Sequence, residues 1–423
     1  MCSKRVRWAV SALLLVVSLV LPACAAPEPE VVSEQVEVTR VVELETEVTR
    51  VVEVEVEPET TEEEEAQSEI QLPDVIRIGV LDALTGSHSP YGLGSVDGIK
   101  IANDEFPEVL GRPIELVMVD NQSDKAQTAL AAARVVEEGV VGVLGCSSSN
   151  LSMAANEVFH EAGLPSVAPC STNPLVTEDK PYAFRVCFID PFAGRVMAKF
   201  AVEELGAETA VLFSDITRDY PVGLTNFFRE AWLEMMPPES LLGYYSLMYG
   251  DTDFTAQLTA IKELNPDVIF APNDYKEQAL ISKQAKELGI TSTFLSGDGI
   301  SPAEFIEIGG SAVNGTFYAG HFHPDAPLGE RGESFVETYR ALHDKEPDML
   351  GALGYDAYIV LRDAIERAGS VDGEAIKQAL SETENFEAVT GIITLDKEGN
   401  AVKSAVVIGF EDEQKYVAGM VEP

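Results

Sequence analysis

A strand–loop–helix–strand pattern between Gly142 and Pro174, GVLGCSSSNLSMAANEVFHEAGLPSVAPCSTNP, most restricts what this chain can fold into. Two short apolar runs, Val140–Leu144 and Pro165–Ala168, each stop at a cluster of small hydroxyl residues, and Leu151–Ala162 between them has helical spacing. Such runs suit strands buried on both faces, and a helical crossover makes them parallel neighbours whose ends share one edge. Ser147, Ser148, Ser149 and Asn150 then stand at the mouth of the helix, with Ser171, Thr172 and Asn173 beside them. A helix N-terminus offers unpaired amides and a positive dipole end, which favour an anion. The pattern therefore predicts a pocket for a small carboxylate without catalytic machinery. The simpler alternative is that Ser147 and Ser148 only cap the helix.

The same alternation continues along the chain. Strand-like runs at 76–81, Ile114–Val119, Phe184–Val186, Ala210–Phe213, Leu241–Tyr245, Val268–Ala271, Thr293–Leu295 and Thr316–Tyr318 are separated or followed by helix-length segments. Those segments are Val96–Glu105, Ala126–Glu138, Pro191–Leu205, Gly223–Met235, Phe254–Leu264, Lys276–Leu288, Gly332–His343 and Gly351–Ala368. Apolar strands alternating with amphipathic helices imply parallel sheets covered on both faces, and ligands there sit beyond the carboxyl ends of strands. Six loops meet that condition: Thr85–Tyr91, Cys146–Asn150, Cys170–Asn173, Ser214–Tyr220, Pro272–Tyr275 and Ser296–Ile300. The tail departs from the rule. In ITLDKEGNAVKSAVVIGF, Gly399-Asn400 between two apolar runs reads as a hairpin.

The N-terminus reads as an export signal, residues 1–23. Lys4, Arg5 and Arg7 precede the apolar Trp8–Val20, which is too short to span a bilayer, and Leu21-Pro22-Ala23-Cys24 resembles a lipoprotein processing site. Cys24 is then the lipidation point, and an ordinary cleavage site with an incidental cysteine is the alternative. Residues 24–73 form an acidic low-complexity stalk: EVTRVVE recurs at Glu37–Glu43 and Glu47–Glu53, and positions 25–73 hold 16 Glu against 2 Arg with no aromatic residue and no glycine. Such charge density opposes a packed core. The remaining 350 residues suit two lobes and carry 24 basic against 55 acidic side chains, a balance that excludes nucleic acid and anionic lipid as partners.

Cys146, Cys170 and Cys187 remain after the signal and Cys24 are set aside. In an exported chain a disulfide is expected, with Cys146–Cys170 the favoured pair because both follow strand ends; Cys187 as a packed thiol is the alternative. No histidine lies at zinc-like spacing from them, and no acidic or thiol ligands cluster near His321 and His323 in sequence, so neither a metal nor a cofactor is expected.

Six ordered motifs, IRIGVLDALTGSHSPYG, GVLGCSSSN, LPSVAPCSTNP, YAFRVCFIDPF, PNDYKEQALISKQAKELG and FLSGDGISPAEF, give residues 74–423 a close resemblance to the substrate-binding proteins of ABC importers for branched-chain and other amino acids. The resemblance implies an α/β, type I periplasmic-binding-protein fold: two doubly wound lobes joined by a hinge with three crossings. Lobe 1 would be 74–190 plus 320–390 and lobe 2 191–319 plus 391–423. It further implies that Ser149 and Thr172, with the backbone of Cys170, hold an α-carboxylate. Asp298 in the GDG turn would meet the α-ammonium, Tyr220 would cover the ligand, and Tyr91 would contact its side chain. Many relatives have a tyrosine where Asp274 precedes Tyr275 here. Either Asp274 faces the cleft, making it doubly acidic with Asp298 and suited to a cationic or donor-rich ligand, or it caps the following helix and Tyr275 faces the cleft. The implied partners are a permease and its ATPases for a monomeric, lipid-tethered clamp on the outer face of the cell membrane.

Two other classes compete. An enzyme is disfavoured, because the chain lacks GxxxxGK[ST], HExxH and GxSxG motifs, and His160, on the helix that follows Ser149, is placed to point away from it. A ligand-sensing receptor module, or a binder of amides, polyamines or urea-like solutes, would use the same fold with a different partner or pocket.

Overall fold

The computed structural model describes residues 72–326 and 329–423; the expected signal, Cys24 and the stalk to residue 71 lie outside the described residues. The chain opens with β1 (Ile76–Asp82) and α1 (Ser89–Glu105), then a tight ribbon of β2 (Glu108–Val109) and β3 (Arg112–Asp120). Next come α2 (Lys125–Glu137), β4 (Gly142–Leu144), α3 (Ser149–Ala162), β5 (Ser166–Ala168) and β6 (Ala183–Arg185). These strands form one sheet in the order β2-β3-β1-β4-β5-β6, parallel throughout except for the β2–β3 pair.

A second sheet follows. It is built from α4 (Asp190–Lys199), β7 (Ala210–Asp215), α5 (Asp219–Met235), β8 (Leu241–Leu247), α6 (Thr255–Leu264), β9 (Val268–Phe270), α7 (Tyr275–Leu288), β10 (Thr293–Ser296), α8 (Glu304–Gly309) and β11 (Phe317–Gly320). The chain then returns through α9 (Glu330–His343), α10 (Met349–Ala368) and α11 (Gly373–Ser381), of which α10 packs along α1 on the first sheet. It ends with β12 (Phe386–Ala388), β13 (Gly391–Leu395), β14 (Ala401–Val402), β15 (Ala405–Glu411) and β16 (Gln414–Val421). The second sheet runs β16-β15-β11-β10-β9-β7-β8, and β12-β13-β14 form a small sheet of their own.

Each large sheet has a switch point, where the chain builds outward from one strand and then returns to build the other way. In the first sheet it lies between β1 and β4, in the second between β7 and β9. Loops leaving neighbouring strands diverge there and open a crevice at the carboxyl edge. Both crevices face one cleft, so four of the six loops singled out from the sequence were fixed by topology.

Three expectations are corrected. The tail hairpin closes on β14 alone, while the following AVVIGF run pairs antiparallel with β11 in the second sheet. The helix expected over Pro191–Leu205 is regular to Lys199 and continues as a wider π-helical turn, Phe200–Glu204. The expected disulfide is absent: Cys146, Cys170 and Cys187 are buried free thiols. Cys146 accepts from Asn121 Nδ2 at 3.6 Å, and Cys170 points instead at Asp298, so the strand ends direct the two thiols to different partners. Among the described residues no helix is long and apolar enough to cross a membrane.

Candidate ligand-binding cleft

The anion corner begins where β4 stops. Gly145 turns the chain at φ +120°, and a Cβ there would lie 2.0 Å from Leu81 O, so glycine alone lets the hydroxyl cluster approach β1. Ser147 is consumed by the scaffold: its Oγ and N–H both donate to the Asp82 carboxylate, at 2.6 and 3.0 Å. Ser148 is the extended N-cap residue, with no side-chain cap bond. The first α3 amides bonded within the turn are those of Leu151 and Ser152, both to Ser148 O, which leaves the Ser149 and Asn150 N–H groups without a partner in the turn. Ser149 Oγ accepts from Asn173 N at 3.2 Å and so joins the loop after β4 to the loop after β5, which brings Cys170 and Thr172 to the cleft. Buried Arg185 holds that second loop, donating to Ser171 O at 2.5 Å and Asn173 O at 2.9 Å.

The acidic corner is Asp298, buried just after β10. Tyr220 Oη donates to its Oδ1 at 2.9 Å, Cys170 Sγ donates to Oδ2 at 3.2 Å, and His321 Nε2 lies 3.4 Å from Oδ2. Burial, reinforced by the Asp298 charge, pushes the Cys170 thiol and the Tyr220 phenol well up, so both remain protonated donors. Burial lowers the His321 pKa against the pull of Asp298, and its ring stacks on Phe188 at 3.7 Å between centroids. The sequence reads His321 as a loop histidine with no cluster of acidic or thiol ligands near it; the fold brings Cys170 and Asp298 to it from afar. Among the described residues these three form the group whose ligating atoms lie close enough, within 4.8 Å, to hold a metal ion. Their present role is to orient one carboxylate. Nearby Asp190 is buried and held toward its neutral form by burial and then by the Asp298 charge.

The third corner contains a residue the sequence reading missed. Arg218, in the loop after β7, donates from Nε to Asp215 Oδ2 at 2.7 Å, forms a close ion pair through Nη1 with Asp274 Oδ2, and stacks over the Tyr249 ring at 4.1 Å. His88 Nε2 lies 3.1 Å from the same Asp274 oxygen. Asp274 does occupy the N-cap position of α7, in extended backbone, but its side chain makes no cap bond and lines the cleft instead. Tyr275 turns away to donate to Ser87 O at 3.1 Å. Of the two alternatives Asp274 faces the cleft with Asp298, but Arg218 lies against it, so its corner presents an ion pair rather than a free carboxylate. Burial alone would raise the Asp274 carboxyl, but Arg218 and His88 outweigh it and hold the pKa well below the usual carboxylate range. Arg218 was detectable as the one basic residue in the Ser214–Tyr220 loop.

Loops of the two sheets also touch directly. Tyr91 Oη donates to Gly299 O at 2.6 Å, Asn173 Nδ2 to Asp219 O at 2.9 Å, and Tyr249 Oη to Ser87 Oγ at 2.5 Å. The cleft between them encloses a cavity of about 30 Å³. Tyr91, Ser149, Cys170, Thr172, Tyr220, Asp274 and Asp298 all line it.

Residues 75–410 match the family described as periplasmic binding protein. The chain is 28% identical over 332 residues to Leu/Ile/Val-binding protein homolog 1 of Brucella abortus, covering 77% of this chain and 87% of the relative. Among solved structures it is similar to a leucine binding protein, LivK, of Thermotoga maritima, with 44% identity, a TM-score of 0.80, and coverage of 82% of this chain and 99% of the other. The branched-chain amino acid transporter substrate binding protein LivJ of Streptococcus pneumoniae, solved with isoleucine, shares 30% identity at a TM-score of 0.78, covering 82% of this chain and all of the other.

Proposed function

The chain belongs to the periplasmic binding protein family, and from that premise we propose that it is the extracytoplasmic solute-binding component of an ABC importer, capturing a small amino acid between two lobes. One observation carries the reading: a single cleft joins an unpaired helix N-terminus with Ser149 and Thr172 on one side to the buried carboxylate of Asp298 on the other. An α-amino acid presents the complementary pair of charges, and a buried ammonium requires a paired carboxylate. The names of the relatives support the same solute class. A polyamine or other dication is less well served, because Arg218 occupies the corner that a second positive group would need.

In this reading the lobes divide at 74–190 plus 320–390 and 191–319 plus 391–423, the closed form docks a permease driven by ATPases, and Cys24 carries the lipid tether. Neither a sensory partner nor a catalytic step is needed.

Calorimetric titration of the full-length chain with proteinogenic amino acids, and with their decarboxylated and deaminated analogues, tests the proposal. At least one amino acid is expected to bind, and both truncated analogues to bind far more weakly. Asp298→Asn should cost about 3 kcal/mol or more, beyond a hundredfold in Kd, because it strips the partner of a buried charge. Ser149→Ala should cost about 1 kcal/mol through one lost hydrogen bond. Undiminished affinity in Asp298→Asn would remove it as the ammonium anchor.

A further inference from the structure

The third corner has no part in holding the two charges of an amino acid, yet it is the most heavily paired group in the cleft. We infer that Arg218 and Asp274 select an amino acid whose side chain both accepts and donates a hydrogen bond, a hydroxyl or a carboxamide, over one with a branched aliphatic side chain. This rests on the amino-acid reading above and deepens it.

The donors and acceptors can be counted. Guanidinium offers five N–H groups; Arg218 spends Nε on Asp215 and Nη1 on Asp274, with His88 Nε2 also 3.4 Å from Nη1. Among the described residues nothing accepts from Nη2. Asp274 Oδ2 serves both Arg218 and His88, whereas Oδ1 has no protein donor among the described residues. Both side chains line the cleft. A donor group and an acceptor atom on adjacent, rigidly paired residues match the carbonyl and amino group of a carboxamide, or the lone pair and proton of a hydroxyl.

Charge and hydrogen-bonding capacity disfavour the alternatives. Arg218 already lies between the carboxylates of Asp215 and Asp274, so a second carboxylate on the ligand would enter beside two like charges. A cationic side chain, which carries donors only, could use the open Asp274 Oδ1 but would leave Arg218 Nη2 without an acceptor. An aliphatic side chain would cover the ion pair without replacing the hydrogen bonds that water gives its open sites, a loss that a polar ligand avoids. Sites built to hydrogen-bond a ligand group reject analogues lacking it far more strongly than apolar pockets discriminate by size.

The test is calorimetric titration of the full-length chain with leucine, isoleucine, valine, serine, threonine, asparagine, glutamine, glutamate and lysine. A hydroxyl or carboxamide amino acid should bind at least tenfold tighter than any of the three branched-chain ones. In the double variant Arg218→Met with Asp274→Leu, which removes the ion pair as a unit, that preference should collapse or reverse toward leucine. The wild-type ranking decides the matter even if the variant fails to fold. A branched-chain amino acid binding as tightly as, or tighter than, every polar one overturns the inference while leaving the amino-acid reading intact. So does glutamate or lysine ranking first. Failure of every amino acid, with or without an α-carboxylate, overturns the proposed function itself.

Discussion

His321 is fully buried, with its imidazole stacked on Phe188 and directed at Asp298. Burial depresses its pKa below the ordinary value of 6.5, against the opposing pull of Asp298 and with a small push from Lys403. A base with a depressed folded-state pKa takes up its proton first in the unfolded chain. Stability is therefore complete above about pH 6.5 and falls as the pH drops through the window below it, by up to about 1.4 kcal/mol per unit. Melting temperatures between pH 7.5 and 5 should fall in the wild type and fall less in His321→Gln; identical slopes would remove His321 as the titrating group. Residues of this kind mark the limit of the sequence. Ser149 and Thr172 could be placed because each closely follows a strand whose end the parallel order brings to one edge, whereas Tyr91, further along and inside α1, was implied only by the family resemblance. His321 meets Cys170 across about 150 residues of chain, and the Arg218–Asp274 pair depends on two loops being adjacent in space. No local spacing encodes either contact.

Elements were more legible than their packing. Strand and helix positions follow from hydrophobic periodicity, whereas the short β2–β3 ribbon went unseen because its turn is only Leu110-Gly111, both in left-handed backbone. The α1–α10 contact shows what periodicity omits. A Cβ on Gly98 would fall 1.8 Å from Gly351 O, and one on Gly354 would fall 2.0 Å from Ser95 O, so the two helix backbones touch where glycine removes the side chain. Neither obstacle is a flexible side chain that could move aside. Gly98→Ala should force the helices apart at a cost of about 1–3 kcal/mol or more, a loss of several degrees in melting temperature. Because α1 carries Tyr91 in its first turn, the variant should also weaken ligand binding without altering any cleft residue. An unchanged melting temperature would mean that the helices separate freely.

At the scale of the molecule, two sheets with the same winding place their switch points across one cleft, and the loops from those points meet. The structure therefore describes a closed arrangement, held where Tyr91 Oη donates to Gly299 O and accepts from Tyr275 N at 3.4 Å. The Tyr91 ring packs edge-on to Tyr275 at 5.8 Å, a contact that phenylalanine would keep. Tyr91→Phe thus removes the cross-lobe hydrogen bond while leaving the packing, and one such bond contributes about 1 kcal/mol. A shift of that size changes the ratio of open to closed forms about fivefold. Small-angle scattering of the ligand-free chain should show a larger radius of gyration in Tyr91→Phe than in the wild type. Saturating ligand should restore the compact value, since binding to the closed form offsets the lost bond. An equal radius for both ligand-free proteins would mean that closure is held by the hinge and the remaining loop contacts, and that Tyr91 acts on the ligand alone.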